Sequence, residues 1–120
     1  MNQIKEIHDR AMDIAELAFV AKYKNDLAEF ERLSRQALEL ESQAAKMLER
    51  DFEVEPTRSV LYRSAAALAL NCKEYREAEK LIAMGLIGNP PPEIVGELRE
   101  LLEQTQQYLH KGKNPIKKAV

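Results

Sequence analysis

The sequence predicts an all-helical domain of about five antiparallel helices, stacked as helical hairpins. The prediction rests on two features of the chain of 120 residues: helix-forming residues dominate it with only four glycines, and apolar residues recur at three- and four-residue steps. No segment alternates apolar and polar residues with the β-branched composition of a strand. A chain of this length fits one domain, and it can bury enough apolar surface to fold without disulfides or a metal.

The helices are placed by their apolar periodicity and by the residues that interrupt it. Their expected ranges are 3–24, 26–50, 56–71, 74–87 and 92–109. Asp26 followed by Glu29 has the spacing of a capping box, in which each side chain bonds a backbone N–H of the first turn. Pro56 suits the start of the third helix because no N–H is needed there. Gly88 and the prolines that follow it end the fourth helix.

Residues 1–110 are expected to form the domain, with the fifth helix capping the last hairpin. Residues 111–120 are expected to form a flexible tail, which lysines at positions 111, 113, 117 and 118 make basic. We interpret these lysines as solvated, and a contact with an acidic partner or nucleic acid is the alternative interpretation.

Charge and cysteine usage exclude several classes of protein. The net charge of −2 provides no positive field for a polyanion, so we do not expect nucleic acid as a partner. The single cysteine, Cys72, excludes an intrachain disulfide framework and suits a reducing compartment, so the cytoplasm is expected. The first ten residues contain no apolar signal region, and the longest apolar run, residues 65–70, is far shorter than a membrane span.

The residues that could support chemistry do not form a recognisable site. His8 and His110 lack the spacing of metal ligands and are interpreted as solvated surface residues. Neighbouring carboxylates such as Glu39 and Glu41 are assigned to a polar helix face, without a sign of burial that would shift their pKa values. The four glycines form no phosphate-binding loop. We therefore expect neither an enzyme nor a metal or cofactor.

A pattern of large and small residues runs through residues 59–92. Its first half has a large residue at the fourth position and alanines at the seventh, eighth and eleventh, which are Tyr62, Ala65, Ala66 and Ala69. Its second half has an aromatic-x-Glu-Ala turn, a large apolar residue, a Gly-Leu pair and a closing proline, which are Tyr75, Glu77, Ala78, Ile82, Gly85, Leu86 and Pro90. In these features the segment resembles a tetratricopeptide repeat, a hairpin of about 34 residues in which small residues let two helices approach closely.

Residues 11–44 match fewer positions of the same pattern. Compatible residues are Ile14, Leu17, Ala18, Ala21 and Ala37, whereas Phe30 and Ser34 stand where alanine and a large apolar residue are usual. Within the better unit, Lys73 replaces the usual turn glycine. The resemblance implies a stack of tetratricopeptide-like hairpins.

The resemblance also implies that the first helix of each hairpin lines a concave binding surface. Transferring its inward positions gives Met12, Ala15, Phe19 and Tyr23 on the first helix and Val60, Arg63, Ala67 and Leu70 on the third. Composition agrees, because these two helices are apolar over most of their circumference. A bound peptide, a second copy of the chain, or the chain's own fifth helix and tail are the three candidates to cover that surface.

These observations indicate a non-catalytic scaffold that binds a protein segment through the face of its first and third helices. A structural subunit that dimerises through the same face is the alternative. Arg63 is expected to pair with a carboxylate, either of the ligand or of the same domain.

Overall fold

Five α-helices form the part of the chain that the computed structural model describes, residues 2–111. They are α1 (Asn2–Tyr23), α2 (Leu27–Lys46), α3 (Thr57–Asn71), α4 (Tyr75–Leu86) and α5 (Pro92–Lys111). Within these residues there is no strand, and the predicted all-helical stack of hairpins is confirmed. Of the tail predicted at residues 111–120, Lys111 belongs to α5 and the rest lies outside the described residues.

The turns inside the two hairpins have the same backbone geometry. Asn25 and Lys73 both adopt left-handed conformations, with φ of 63° and 65°. In each turn the next residue, Asp26 or Glu74, donates its N–H to the carbonyl five residues earlier, at 2.9 and 2.8 Å respectively. These bonds form a Schellman motif, which satisfies the last carbonyls of the first helix. Of the two hydrogen bonds of the predicted capping box, one forms, in which Glu29 donates its N–H to the Asp26 carboxylate. The other does not, because the Glu29 carboxylate binds Arg32 instead.

The end of α2 differs from the prediction, which extended this helix to residue 50. The helix ends at Lys46, and the following backbone bonds tighten to three-residue steps. The buried Arg58 guanidinium donates to the carbonyls of Leu48 and Glu49, in the turn that follows the helix, at 2.9 to 3.1 Å. A contact from α3 thus stabilises the turn after α2, and a sequence period does not detect such a contact.

The helices pack in chain order, and α5 also contacts α3. Gly85 allows the closest approach, because a Cβ built there would lie 3.1 Å from the Tyr62 Cβ and 3.2 Å from a Leu98 methyl carbon. The small residue at this position thus lets α3, α4 and α5 meet. Among the described helices, α1 and α3 are not an extensively packed pair.

The first hairpin is longer than the second and extends beyond it. The bond between His8 and Glu41 sets the register of α1 against α2 and places Arg35 opposite Ile14. Arg35 in turn pairs with Glu74 and donates to the Cys72 carbonyl, which marks the level of the turn after α3. Residues 15–34, here called the overhang, therefore extend past that turn by about 12 Å. The overhang has a small apolar cluster of its own, formed by Ala18, Ala21, Leu33 and Phe30, and Ile14 packs against both this cluster and the main core.

Candidate functional site

The predicted binding residues of α1 lie along one side of the helix. Steps of three or four residues connect Met12, Ala15, Phe19 and Tyr23, and His8 continues the same line toward the N-terminus. We call these five residues the α1 stripe. Met12 and Ala15 are half-buried against the main core, whereas Phe19 is 62% and Tyr23 87% exposed on the overhang. The stripe thus runs from the packed part of the molecule to its free end.

The predicted binding residues of α3 are all half-buried. Val60 and Leu70 pack against the main core, and Ala67 is partly exposed beside them. Arg63 donates to the Glu97 carboxylate of α5 at 2.6 Å, so its acidic partner is a residue of the same domain. This ion pair attaches the capping helix to α3.

A groove of about 470 Å³ lies between the N-terminal parts of α1 and α3. We call it the N-terminal groove. Its apolar lining comes from Ile4, Pro56, Val60 and Leu61. Its polar lining comes from Asn2, Lys5, His8 and Thr57. Of the eight predicted binding residues, only Val60 lines this groove, and Phe19 and Tyr23 line a separate shallow depression on the overhang.

His8 and Glu41 form a pair beside this groove, and the sequence interpretation of both residues was wrong. The Nδ1 atom of His8 lies 2.9 and 3.0 Å from the two carboxylate oxygens of Glu41. The Glu41 side chain is completely buried, and that of His8 is 31% exposed. Sequence signals for this burial existed, since Glu41 falls four residues after Ala37 and seven before Leu48, both in the core.

Burial determines the electrostatics of this pair. It raises the pKa of the Glu41 carboxyl above its ordinary value, and the hydrogen bond and charge of His8 oppose that rise. Ser64 and Arg63, both on α3, also lower the pKa of Glu41. A buried carboxyl held on Nδ1 fixes the imidazole ring and leaves Nε2 as its free nitrogen. Within residues 2–111, Nε2 has no hydrogen-bond partner in the protein.

The thiol of Cys72 is a structural group. It is completely buried, and its Sγ lies 3.6 Å from the Ala69 carbonyl oxygen. Burial raises the pKa of the thiol, which disfavours the reactive thiolate.

The exposed apolar residues are concentrated on the overhang. Five large ones lie there, namely Leu17, Phe19, Val20, Tyr23 and Leu27. Phe19 and Tyr23 belong to the α1 stripe, Leu17 lies on the opposite side of the helix, and Val20 lies between the two. A concentration of this kind is typical of surfaces that contact another molecule.

Comparison with protein-family models, with curated proteins and with solved structures gave no significant match. None of the described helices combines the length and apolar character that crossing a membrane requires.

Proposed function

We propose that this protein is a non-catalytic helical-repeat scaffold that binds a protein segment through the face of α1 and α3. The proposed contact residues are Met12, Ala15, Phe19, Tyr23, Val60, Arg63, Ala67 and Leu70. The observation that carries the proposal is the α1 stripe, which joins the N-terminal groove to the exposed aromatic pair on one side of one helix. From His8 to Tyr23 the stripe is about 22 Å long, the length of about seven extended residues or four helical turns.

The matching turns of the two hairpins support the repeat part of the proposal. Asn25 and Lys73 share one backbone conformation and one hydrogen-bonding pattern. They are also the positions that correspond when residues 11–44 are aligned with residues 59–92. Two hairpins built in the same way and stacked in order place their first helices on a common side, which is the arrangement expected from a tetratricopeptide-like array.

The aromatic pair supports the binding part of the proposal. Phe19 and Tyr23 offer large apolar surfaces with few rotatable bonds, and such residues supply much of the energy of protein interfaces. Arg63 already has Glu97 as its partner, so its role in this proposal is to position α5 beside the surface. The buried, unpaired Cys72 suits a reducing compartment, and we propose the cytoplasm.

A structural homodimer is the alternative proposal. It is favoured by the overhang, whose exposed Leu17, Val20 and Leu27 add apolar surface outside the α1 stripe. A second copy of the chain packed along α1 would cover part of this apolar surface.

Affinity capture from the source cell tests the main proposal. We expect Phe19→Ala and Tyr23→Ala each to lose a protein that the wild type captures, because each removes a large exposed ring from the stripe. Leu17→Ala is the matched control, since Leu17 is similarly exposed at 58% on the other side of the same helix. Circular dichroism should show that all three variants keep the wild-type helicity. Capture of the same proteins by Phe19→Ala, Tyr23→Ala and the wild type would contradict the proposed surface.

A further inference from the structure

Two tyrosine rings stack on each other where α5 passes the start of α4. The centroids of the Tyr75 and Tyr108 rings are 4.8 Å apart, and the ring planes differ in direction by 7°. Rings that are this close to parallel at this separation lie offset and in van der Waals contact. Because Tyr75 begins α4 and Tyr108 lies near the end of α5, the contact joins two helices.

The C-terminal end of α5 has few other contacts. The buried residues of this helix, Ile94, Leu98 and Thr105, all precede Tyr108. Among residues 106–111 only Leu109 is half-buried, and the others are exposed. The ion pair between Glu97 and Arg63 holds the opposite end of the helix. The tyrosine stack therefore attaches the last turns of α5 to α4.

This pair differs from the other two of the four tyrosines in the chain. Tyr108 is 51% exposed and covers the half-buried Tyr75, so a reagent in solution reaches the stack at Tyr108. Tyr62 is buried, and Tyr23, although 87% exposed, is stacked on no other tyrosine of the described residues. Only Tyr75 and Tyr108 thus combine access from solution with contact between two phenols.

The phenol groups, and not only the rings, lie close to each other. Burial raises the pKa of Tyr75, and the negative charges of Tyr108 and Glu31 raise it further. A charge on one phenol therefore acts on the other, as expected when two stacked rings direct their hydroxyl groups to a similar side. In such a stack the ring carbons ortho to the two hydroxyl groups are neighbours.

We propose that Tyr75 and Tyr108 form an oxidative modification site, at which a peroxidase with hydrogen peroxide joins the two rings by a carbon–carbon bond. Each phenol loses one electron and its hydroxyl proton and becomes a phenoxyl radical. The two radicals form a bond between their ortho carbons, and the hydrogen on each of these carbons then moves to the phenol oxygen. Hydrogen peroxide takes up the two electrons and the two protons and becomes two molecules of water.

The product is a dityrosine that links α4 to α5 within one chain. Thiols reduce a disulfide but do not cleave a carbon–carbon bond, so this cross-link persists in the reducing compartment proposed above. The only cysteine, Cys72, is buried and has no second cysteine to pair with. The modification goes beyond the proposed protein-binding function and does not depend on it.

Treatment of the full chain with a haem peroxidase and hydrogen peroxide tests the proposal. We expect dityrosine fluorescence, a mass lower by two hydrogen atoms in a single chain, and a tryptic peptide pair that joins Tyr75 to Tyr108. The cross-linked chain should also melt at a higher temperature, because the new bond closes a loop in the unfolded state. A fully reacted sample without a link between Tyr75 and Tyr108 would overturn the proposal.

Tyrosine variants identify the residues that react. Tyr75→Phe and Tyr108→Phe keep a stacked ring but remove one phenol, so each should keep the fold and lose the cross-link within the chain. Tyr23→Phe is the matched control, because it removes the most exposed phenol and should leave this cross-link unchanged. Any covalent dimers formed through Tyr23 have twice the chain mass, which separates them from the expected product.

Circular dichroism confirms that the three variants are folded. Wild-type dityrosine fluorescence in the monomeric fraction of folded Tyr75→Phe or Tyr108→Phe would exclude the pair as the site. Loss of the cross-link within the chain in Tyr23→Phe would also contradict the proposal, since the reaction would then depend on a tyrosine outside the stack.

Discussion

At the scale of single residues, Arg58 is the side chain whose role differs most from what its residue type suggests. It is completely buried, and its guanidinium donates to the carbonyls of Leu48, Glu49 and Ile87 at 2.8 to 3.1 Å. The rings of Phe52 and Tyr62 lie 4.7 and 5.1 Å from it. Within the described residues it has no carboxylate partner. Its charge is instead stabilised by the negative ends of α2 and α4 and by two aromatic faces.

Replacing Arg58 should therefore be strongly destabilising. We expect Arg58→Met, which keeps most of the side-chain volume, to reduce the free energy of unfolding by on the order of 3 kcal/mol, because it leaves buried carbonyls without donors. Urea unfolding measures this loss. Arg99→Met, at an exposed position of α5, is the control and should change stability by less than about 0.5 kcal/mol. A comparable loss in both variants would mean that the carbonyl contacts of Arg58 contribute little.

Glu41 should make the stability of the protein depend on pH. Because burial raises its pKa in the folded protein, the folded state keeps this proton at higher pH than the unfolded chain does. The stabilising contribution is complete below the unfolded pKa, about 4.3, and is lost as the pH rises through the folded pKa. Glu41→Gln removes this titration. The unfolding free energy of the wild type minus that of Glu41→Gln should therefore fall as the pH is raised from about 4.

A series of urea unfolding curves across that pH range measures the difference. Glu39→Gln is the control, since Glu39 is exposed on the same helix, and its difference from the wild type should stay nearly flat. If the unfolding free energy of the wild type minus that of Glu41→Gln instead rises with pH, the ionised carboxylate, and not the protonated one, is the form stabilised by folding.

Neither the carbonyl partners of Arg58 nor the pairing of His8 with Glu41 could be predicted from the sequence, although the spacing of Glu41 from Ala37 and Leu48 indicated its burial. Arginine and glutamate are exposed in most helices, so their burial depends on partners that lie 9 to 33 residues away along the chain. Among the predicted contact residues, Arg63 was the one expected to pair with a carboxylate, either of the ligand or of the same domain. In the structure the carboxylate is that of Glu97, in the same domain.

At the scale of helices, periodicity predicted which segments are helical, and one of them ends earlier than its apolar pattern does. Four helices end within two residues of the predicted positions, because turn residues and prolines mark those ends locally. The exception is α2, which stops at Lys46, four residues before the predicted end, and Arg58 binds carbonyls of the turn that follows it. Sequence patterns predict local backbone geometry well, but they predict contacts between helices only indirectly.

The small residues between α3 and α4 provide the test at this scale. Ala78 is completely buried in the main core, so Ala78→Phe should overpack the hairpin and cost about 1–3 kcal/mol. Ala83→Phe is the matched control on the exposed side of the same helix and should be nearly neutral. Thermal melts followed by circular dichroism compare the two variants. An unchanged melting temperature for Ala78→Phe would contradict close packing of this hairpin.

At the scale of the whole molecule, the unequal lengths of the hairpins create the surface that a partner would contact. Residues of all five described helices contribute to the main core, whereas most of the overhang packs on its own small cluster. From the sequence, the apolar faces of α1 and α3 are expected to form one surface that another molecule or segment covers. The structure separates that surface into the N-terminal groove and the aromatic end of the α1 stripe, because α3 ends before the overhang begins.

The overhang also leads to an expectation about oligomeric state. Its five exposed apolar side chains are distributed on two sides of α1 and the start of α2, whereas a stable protein interface contains about 20–30 residues on each side. A second copy could cover one of the two sides with a flat contact, but it would leave the other exposed. We therefore expect the free protein to be a monomer of 13.7 kDa at micromolar concentration.

Sedimentation equilibrium measures that mass directly. A species of twice the chain mass would contradict the expectation and favour the homodimer proposal, and Leu17→Ala and Phe19→Ala would then show which side of α1 forms the contact. If Leu17→Ala restored the monomer and Phe19→Ala did not, the α1 stripe would still be free for a protein segment. If Phe19→Ala restored the monomer, the second copy would occupy the stripe itself, and the two proposed functions would compete for one surface.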